Sequence, residues 1–233
     1  MVKKMTHNVV IFGAGQRARE LKRLLAMDGT TVDYFVIDAE FIDSDTFDDV
    51  KVISTDRFLS EFSPETSDIY LGVGMPKMNK IRERLFDLFH SKGFTFDSYI
   101  SPYSNVLTDS LGEGNTVFAG VNIAPGVVIG DANHFEMGVT ISHDCTIGDF
   151  NFFAPGCTLC GNITIGRGNF IGANCTVKNS VKINDYVLVG AGSYVDMDIP
   201  TGKVIVPQKS HILINKTSDY FINRWKIIRR FQN

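Results

Sequence analysis

His143 and Asp144 stand side by side in the stretch Ser142-His143-Asp144-Cys145. An imidazole titrates near neutrality and can take a proton from an attacking amine or hydroxyl, while a neighbouring carboxylate can hold the ring in one orientation. A second motif, Gly13-Ala14-Gly15-Gln16-Arg17-Ala18, fits G-x-G-x-x-A, and Asp38 follows at the distance expected of a ribose-binding acid. Taken alone this pattern suggests a dinucleotide, although only about a hundred residues precede the repeat described below, enough for one mononucleotide-binding half. Cys157-Thr158-Leu159-Cys160 has the C-x-x-C spacing of redox and zinc motifs, but no second C-x-x-C completes a zinc site. His134 invites a three-imidazole metal centre with His143. The other histidines, His7, His90 and His211, lie outside that region, so no metal is expected. His134 is read as a surface residue and kept among the candidate substrate contacts.

His143 sits inside a repeat of six residues. Positions six apart from Leu111 to Val195 are apolar in all fifteen cases, and the next position is glycine at Gly112, Gly130, Gly148, Gly166, Gly172 and Gly190. Those glycines are expected where a tight corner needs a positive φ. Two residues before the apolar anchor the side chain is usually small, and Cys145, Cys157 and Cys175 fall there, so the cysteines are read as packing rather than redox chemistry. Period six does not keep one face of an α-helix apolar, but it does describe one flat side of a three-sided solenoid. Three hexads make a coil, giving about five coils that are stable only as a stack. Asn115, Asn133, Asn151 and Asn169 are expected to hydrogen-bond backbone along it. His143, between inward Ile141 and Cys145, is placed at a corner with its side chain outward.

Ahead of the repeat, Asn8 to Phe12 reads as a buried strand, Ala18 to Met27 as an amphipathic helix and Val32 to Ile37 as a second strand, a βαβ opening. A further strand over Ile69 to Gly74 precedes Pro76 and a helix to about Lys92, with Lys80, Arg82 and Arg84 on its exposed side. Phe94 to Ile100 is expected as the last strand of this domain. The organisation is therefore an α/β nucleotide-binding domain over 1–100, a solenoid over 101–197 and a C-terminal cap over 198–233. A basic amphipathic helix is expected over 220–231, packing on the solenoid or a neighbour. The net charge of -3 gives no general attraction to nucleic acid or anionic lipid, and no apolar stretch is long enough for a bilayer, so a cytoplasmic protein without a membrane partner is expected.

The hexads from Leu111 to Val195, with His143-Asp144 inside them and a short nucleotide-binding domain in front, resemble the bacterial hexapeptide-repeat sugar acyltransferases. The resemblance is to the nucleotide-amino-sugar N-acetyltransferases of glycan biosynthesis and their sialic acid O-acetyltransferase relatives. It implies a left-handed parallel β-helix, a homotrimer, and an acyl-CoA co-substrate, by default acetyl-CoA, in the groove between neighbouring solenoids. It implies His143 as general base with Asp144 as orienter, and pantetheine contacts along Gly161-Asn162 and Gly190-Ala191-Gly192. The acceptor it implies is a UDP- or dTDP-linked amino sugar around Gly13, Gly15, Arg17 and Asp38. Phe152 stands where relatives often carry a second histidine, Gln16-Arg17 stands near their Gly-His, and their Gly-x-Pro-Ala segment is represented only by Ile205 to Lys209. Two alternatives stay open, a sugar O-acetyltransferase of the sialic acid type and a non-catalytic trimeric nucleotide-binding scaffold.

Overall fold

The computed structural model describes residues 7–75, 77–209, 212–215 and 217–220. The front domain runs β1 (Asn8–Phe12), α1 (Gln16–Met27), β2 (Tyr34–Ile37), β3 (Thr46–Phe47), β4 (Val50–Ser54), α2 (Thr55–Glu61), β5 (Ser67–Leu71) and α3 (Lys80–His90). Its sheet has the order β3-β4-β2-β1-β5, parallel except for the short β3, which pairs antiparallel with β4. β1 lies inside the parallel part and buries Val10, Ile11 and Phe12, as a strand covered on both faces must. β4 and α2 were not foreseen. Their signals are the apolar Val52-Ile53 pair and Ser54, whose hydroxyl caps α2 by accepting from the Arg57 N–H at 3.2 Å.

The chain then winds into a left-handed parallel β-helix. Two-residue strands build three sheets of seven, six and five strands, and from Ser110 to Val195 each strand residue pairs with the one 18 positions on, as in His134↔Phe152 and Thr140↔Thr158, with offsets of 16 or 17 only at the two ends of the stack. Eighteen is three hexads, so the six-residue period becomes three inward columns of anchors, one per sheet, with Phe135, Ile141, Ile147, Phe153 and Leu159 fully buried. Asn115, Asn133, Asn151 and Asn169 form the expected ladder, each side-chain oxygen accepting a backbone N–H of the next coil at 2.7–2.9 Å. Cys145, Cys157 and Cys175 are buried and free, and burial pushes the Cys157 thiol up to about 12.

The corner glycines differ from expectation. Every sixth residue from Gly114 to Gly192 has a positive φ, between 52° and 76°, and this is the third position after each anchor, occupied by Ala132, Asp144, Phe150 and Tyr186 as well as glycine. Glycine just after the anchor serves close approach between coils. A Cβ on Gly130 would meet the Asp149 carboxylate at 2.1 Å and the Gly148 backbone at 3.0 Å.

Tyr99–Ile100 pairs with Thr116–Val117 of the solenoid, so the stretch Phe94 to Ile100 does not close the front sheet as expected. Phe94 and Phe96 instead fill the junction between the domains, beside Phe86, Phe89 and Phe150. After Val195 the register breaks, and Ile199 still bridges to Ile183 before Val204–Ile205 pairs with Leu188–Val189. The helix expected over 220–231 lies outside the described residues except for Tyr220, as do Pro76 and His211.

α3 joins the two domains. Asn79 donates to the Asn169 carbonyl at 3.3 Å, Arg82 to the Ala132 carbonyl at 2.6 Å, and the Tyr186 hydroxyl to Glu83 at 2.8 Å. Arg82, expected on the exposed side, is fully buried, and burial followed by the nearby charge of Arg17 lowers it to about 10. A helix pressed between a sheet and a solenoid buries two faces, and the apolar period marks only one of them. Among the described residues no helix is long and apolar enough to cross a membrane.

Candidate active site

His143 lies between the strands Thr140–Ile141 and Thr146–Ile147, at the corner where the six- and five-stranded sheets meet. Its side chain is 62% exposed, and Nδ1 lies 2.8 Å from the Asp144 carboxylate. That contact makes Nδ1 the donor and leaves the Nε2 lone pair facing solvent. Asp144 reaches the ring because it occupies the positive-φ corner, at 57°, a conformation that aspartate tolerates better than most residues. One coil further on, Gly161 is the floor of this seat. A Cβ there would come within 2.6 Å of both Cε1 and Nε2 of His143. Gly161 is thus buried beneath the imidazole, a tighter reason for glycine than a backbone open to pantetheine. Asn162 donates its N–H to the His143 carbonyl at 2.9 Å and its side-chain amide to Ser180. Gly190, Ala191 and Gly192 lie on the last full coil, with Ala191 and Gly192 exposed.

A cavity of about 450 Å³ opens at the C-terminal ends of β1, β2 and β5, where parallel α/β sheets bind ligands. It is lined by Gly13, Asp38, Glu40, Phe41, Lys77 and Arg84 among others. Gly15 caps α1, and a side chain there would stand in open space at the helix N-terminus. Asp38 accepts from Thr55 at 2.8 Å and from Arg84 at 2.6 Å. Burial raises its carboxyl, but these two bonds outweigh burial and hold it below the usual carboxylate range.

Arg17 does not line this cavity. It turns from α1 to the solenoid, pairing with Glu20 at 2.7 Å and with Glu136, and its guanidinium lies 5.3 Å from the Phe152 ring centre. His134 is likewise no surface residue. It is buried, stacked on Phe152 with ring centres 4.6 Å apart, and its Nε2 lies 3.2 Å from Glu136. Burial lowers its pKa to about 4, so the ring is neutral at pH 7 and Nε2–H donates to Glu136. Burial would raise the Glu136 carboxyl, but His134 and Arg17 together keep it ionised. His134 takes the place of a phenylalanine in the row Phe118, His134, Phe152, Phe170 against which the front domain packs.

The structure therefore brings Gly13 and Asp38 together, and His143, Asp144, Gly161 and Asn162 together, in two separate places. The front domain packs against the seven-stranded face, whereas His143 stands at the corner opposite that face. Lys77, Arg84, Glu40 and Phe41 were missed as cavity residues. The spacing of Lys77, Ile81, Arg84 and Leu85 along α3 and its approach carried that signal. Among the described residues no three His, Cys, Asp or Glu side chains gather as a metal set.

A stacked three-sided solenoid with an exposed histidine–aspartate corner defines a hexapeptide transferase. Residues 162–196 match the family described as bacterial transferase hexapeptide (six repeats). The chain is similar in structure to perosamine N-acetyltransferase PerB of Caulobacter crescentus, solved with CoA and GDP-perosamine, at 30% identity and TM-score 0.75 over 84% of this chain and 92% of that one. It is also similar to the acetyltransferase domain of PglB from Neisseria gonorrhoeae FA1090 with acetyl coenzyme A, at 27% identity and TM-score 0.77 over 88% and 100% of the two chains. WeeI from Acinetobacter baumannii AYE matches at 25% identity and TM-score 0.77 over 89% and 100%. No curated protein sequence matches. The chain belongs to the bacterial hexapeptide-repeat sugar acyltransferases, and it is an acetyltransferase.

Proposed function

We propose that this enzyme transfers the acetyl group of acetyl-CoA to the amine of a nucleotide-linked amino sugar, in a site completed between two copies of the chain. The observation that carries the reading is the His143 seat, an exposed imidazole with Nδ1 committed to Asp144 and Nε2 free. Its position opposite the face that bears the front domain supports a neighbour's His143 meeting the sugar, in a trimer of solenoids packed side by side. The cavity of one copy holds the nucleotide, with Lys77, Arg84 and the N-terminus of α1 as its positive groups in place of Arg17. Acetyl-CoA lies in the groove between solenoids, along the exposed Ala191-Gly192 turn. The similarity to a perosamine N-acetyltransferase favours nitrogen over oxygen as the nucleophile.

In the reaction the sugar amine attacks the thioester carbonyl and Nε2 of His143 takes the amine proton as the C–N bond forms. Asp144 stabilises the imidazolium through Nδ1–H. Collapse of the tetrahedral intermediate breaks the C–S bond, and the CoA thiolate leaves and takes back the proton. Such a product serves surface glycan assembly and would be made in the cytoplasm, where acetyl-CoA and nucleotide sugars are formed.

Thiol release from acetyl-CoA with GDP-, UDP- and dTDP-linked amino sugars and with free sialic acid tests this, comparing wild type with His143→Ala. Turnover on an amino sugar that falls about a thousandfold in the variant is expected. Turnover only on a sugar hydroxyl would overturn N-transfer, and thiol release unchanged in His143→Ala would overturn the base.

A further inference from the structure

The front cavity carries two side chains that the acetyl-transfer reading leaves unused, Glu40 and Phe41, beside Arg84, which that reading uses only as a positive charge. Phe41 closes the short turn Ala39–Phe41 behind Asp38, lines the cavity, and still has 63% of its surface exposed. A large ring left uncovered at a cavity wall is a platform for a flat ligand. Glu40, beside it on the same wall, makes no hydrogen bond or ion pair with any other described residue. Its carboxylate only accepts. Arg84 reaches the wall from α3 and spends a single Nη on Asp38, leaving further donors of its guanidinium for the cavity.

A stacking ring, a free carboxylate and a guanidinium with donors to spare match one base above the others. Guanine offers N1–H and a 2-amino group side by side, which a carboxylate accepts as a pair, while its O6 and N7 accept from arginine. Uracil and thymine place one N–H between two carbonyls that repel a carboxylate. Adenine puts an amino group where the arginine needs an acceptor.

Resting on the nucleotide-linked acceptor proposed above, we infer that the cavity selects a guanosine diphosphate sugar. Phe41 stacks on the base, Glu40 accepts from N1–H and the 2-amino group, and Arg84 donates to O6 and N7. Lys77 and the N-terminus of α1 are then left for the diphosphate. This moves the acceptor away from the UDP- and dTDP-linked sugars that the family resemblance implies.

Calorimetric titration of the full chain with GDP, IDP, UDP, dTDP and ADP, with neither sugar nor CoA present, tests the base apart from the chemistry. GDP is expected to bind about tenfold tighter than UDP, dTDP or ADP, and IDP, which lacks the 2-amino group, weaker than GDP by several-fold. Glu40→Ala should remove the GDP preference by weakening GDP while UDP binds no more weakly than before, and Phe41→Leu should weaken every nucleotide. Both residues are surface positions, and an unchanged melting temperature confirms that the variants are folded. UDP, dTDP or ADP binding as tightly as GDP would overturn the base assignment, and GDP binding unchanged in Glu40→Ala would overturn the role of Glu40. Binding of no nucleoside diphosphate at all would overturn the nucleotide-linked acceptor itself.

Discussion

The His143 imidazole rests on the Cα of Gly161, so the geometry of the proposed base is set by a residue that carries no functional group. Because the ring is mostly exposed, a methyl group at 161 can push it into solvent without disturbing the core. Gly161→Ala is accordingly expected to lower kcat about a hundredfold, through misplacement of the base, with little change in melting temperature or in KM for acetyl-CoA. If Gly161 instead served as a backbone contact for pantetheine, KM for acetyl-CoA would rise and kcat would hold. Steady-state kinetics on the one variant separates these cases. The same logic of neighbours explains His134, whose stacking on Phe152 and bond to Glu136 make it a packing residue in an aromatic row.

At the scale of elements, α3 does two jobs with residues two positions apart. Arg82 points into the junction, where its bond to the Ala132 carbonyl leaves Nε and Nη1 without partners, while Arg84 reaches the cavity and Asp38. Removing a fully buried side chain and stranding a buried carbonyl is costly, whereas trimming an exposed arginine is not. Chemical denaturation should show Arg82→Ala losing about 3 kcal/mol of stability and Arg84→Ala within about 0.5 kcal/mol of wild type. Equal effects of the two substitutions would mean that the junction is looser than its packing indicates. The sequence offered both arginines as exposed cations, because a helical apolar stripe reports the sheet-facing side and is silent about a second burial surface made of polar and aromatic groups.

For the whole molecule, the proposed reading makes catalysis a property of the assembly, because the cavity and the His143 corner lie apart in one chain. Chains carrying His143→Ala keep an intact front domain, and chains carrying Arg84→Ala keep an intact base. Each variant alone should be poor. Co-assembled at equal amounts after mixing the unfolded chains, they should recover about a quarter of wild-type activity, the fraction of sites that pair an intact cavity with an intact neighbouring histidine. Recovery no greater than the sum of the separate variants would place cavity and base in the same chain.

The unbroken six-residue period and the spacing of Asn115, Asn133, Asn151 and Asn169 were enough to specify the solenoid, its inward columns and the outward corner of His143. Those features repeat at fixed intervals, and each coil sees the same neighbours as the last. The βαβ opening, with Asp38 at the end of its second strand, was legible for a similar reason, since short-range strand, turn and helix signals lie within one stretch of chain. What only the tertiary structure decided are contacts between stretches far apart in sequence. Arg17 leaves the glycine turn for Glu136, His134 is covered by the front domain, Gly161 lies one coil away from the ring it seats, and Glu40, Phe41, Lys77 and Arg84 converge on one cavity. Nothing local marks these meetings, because they arise from how α3 and the β1–α1 turn settle on a solenoid face, and that docking is fixed by packing across the domain junction rather than by any repeat in the chain.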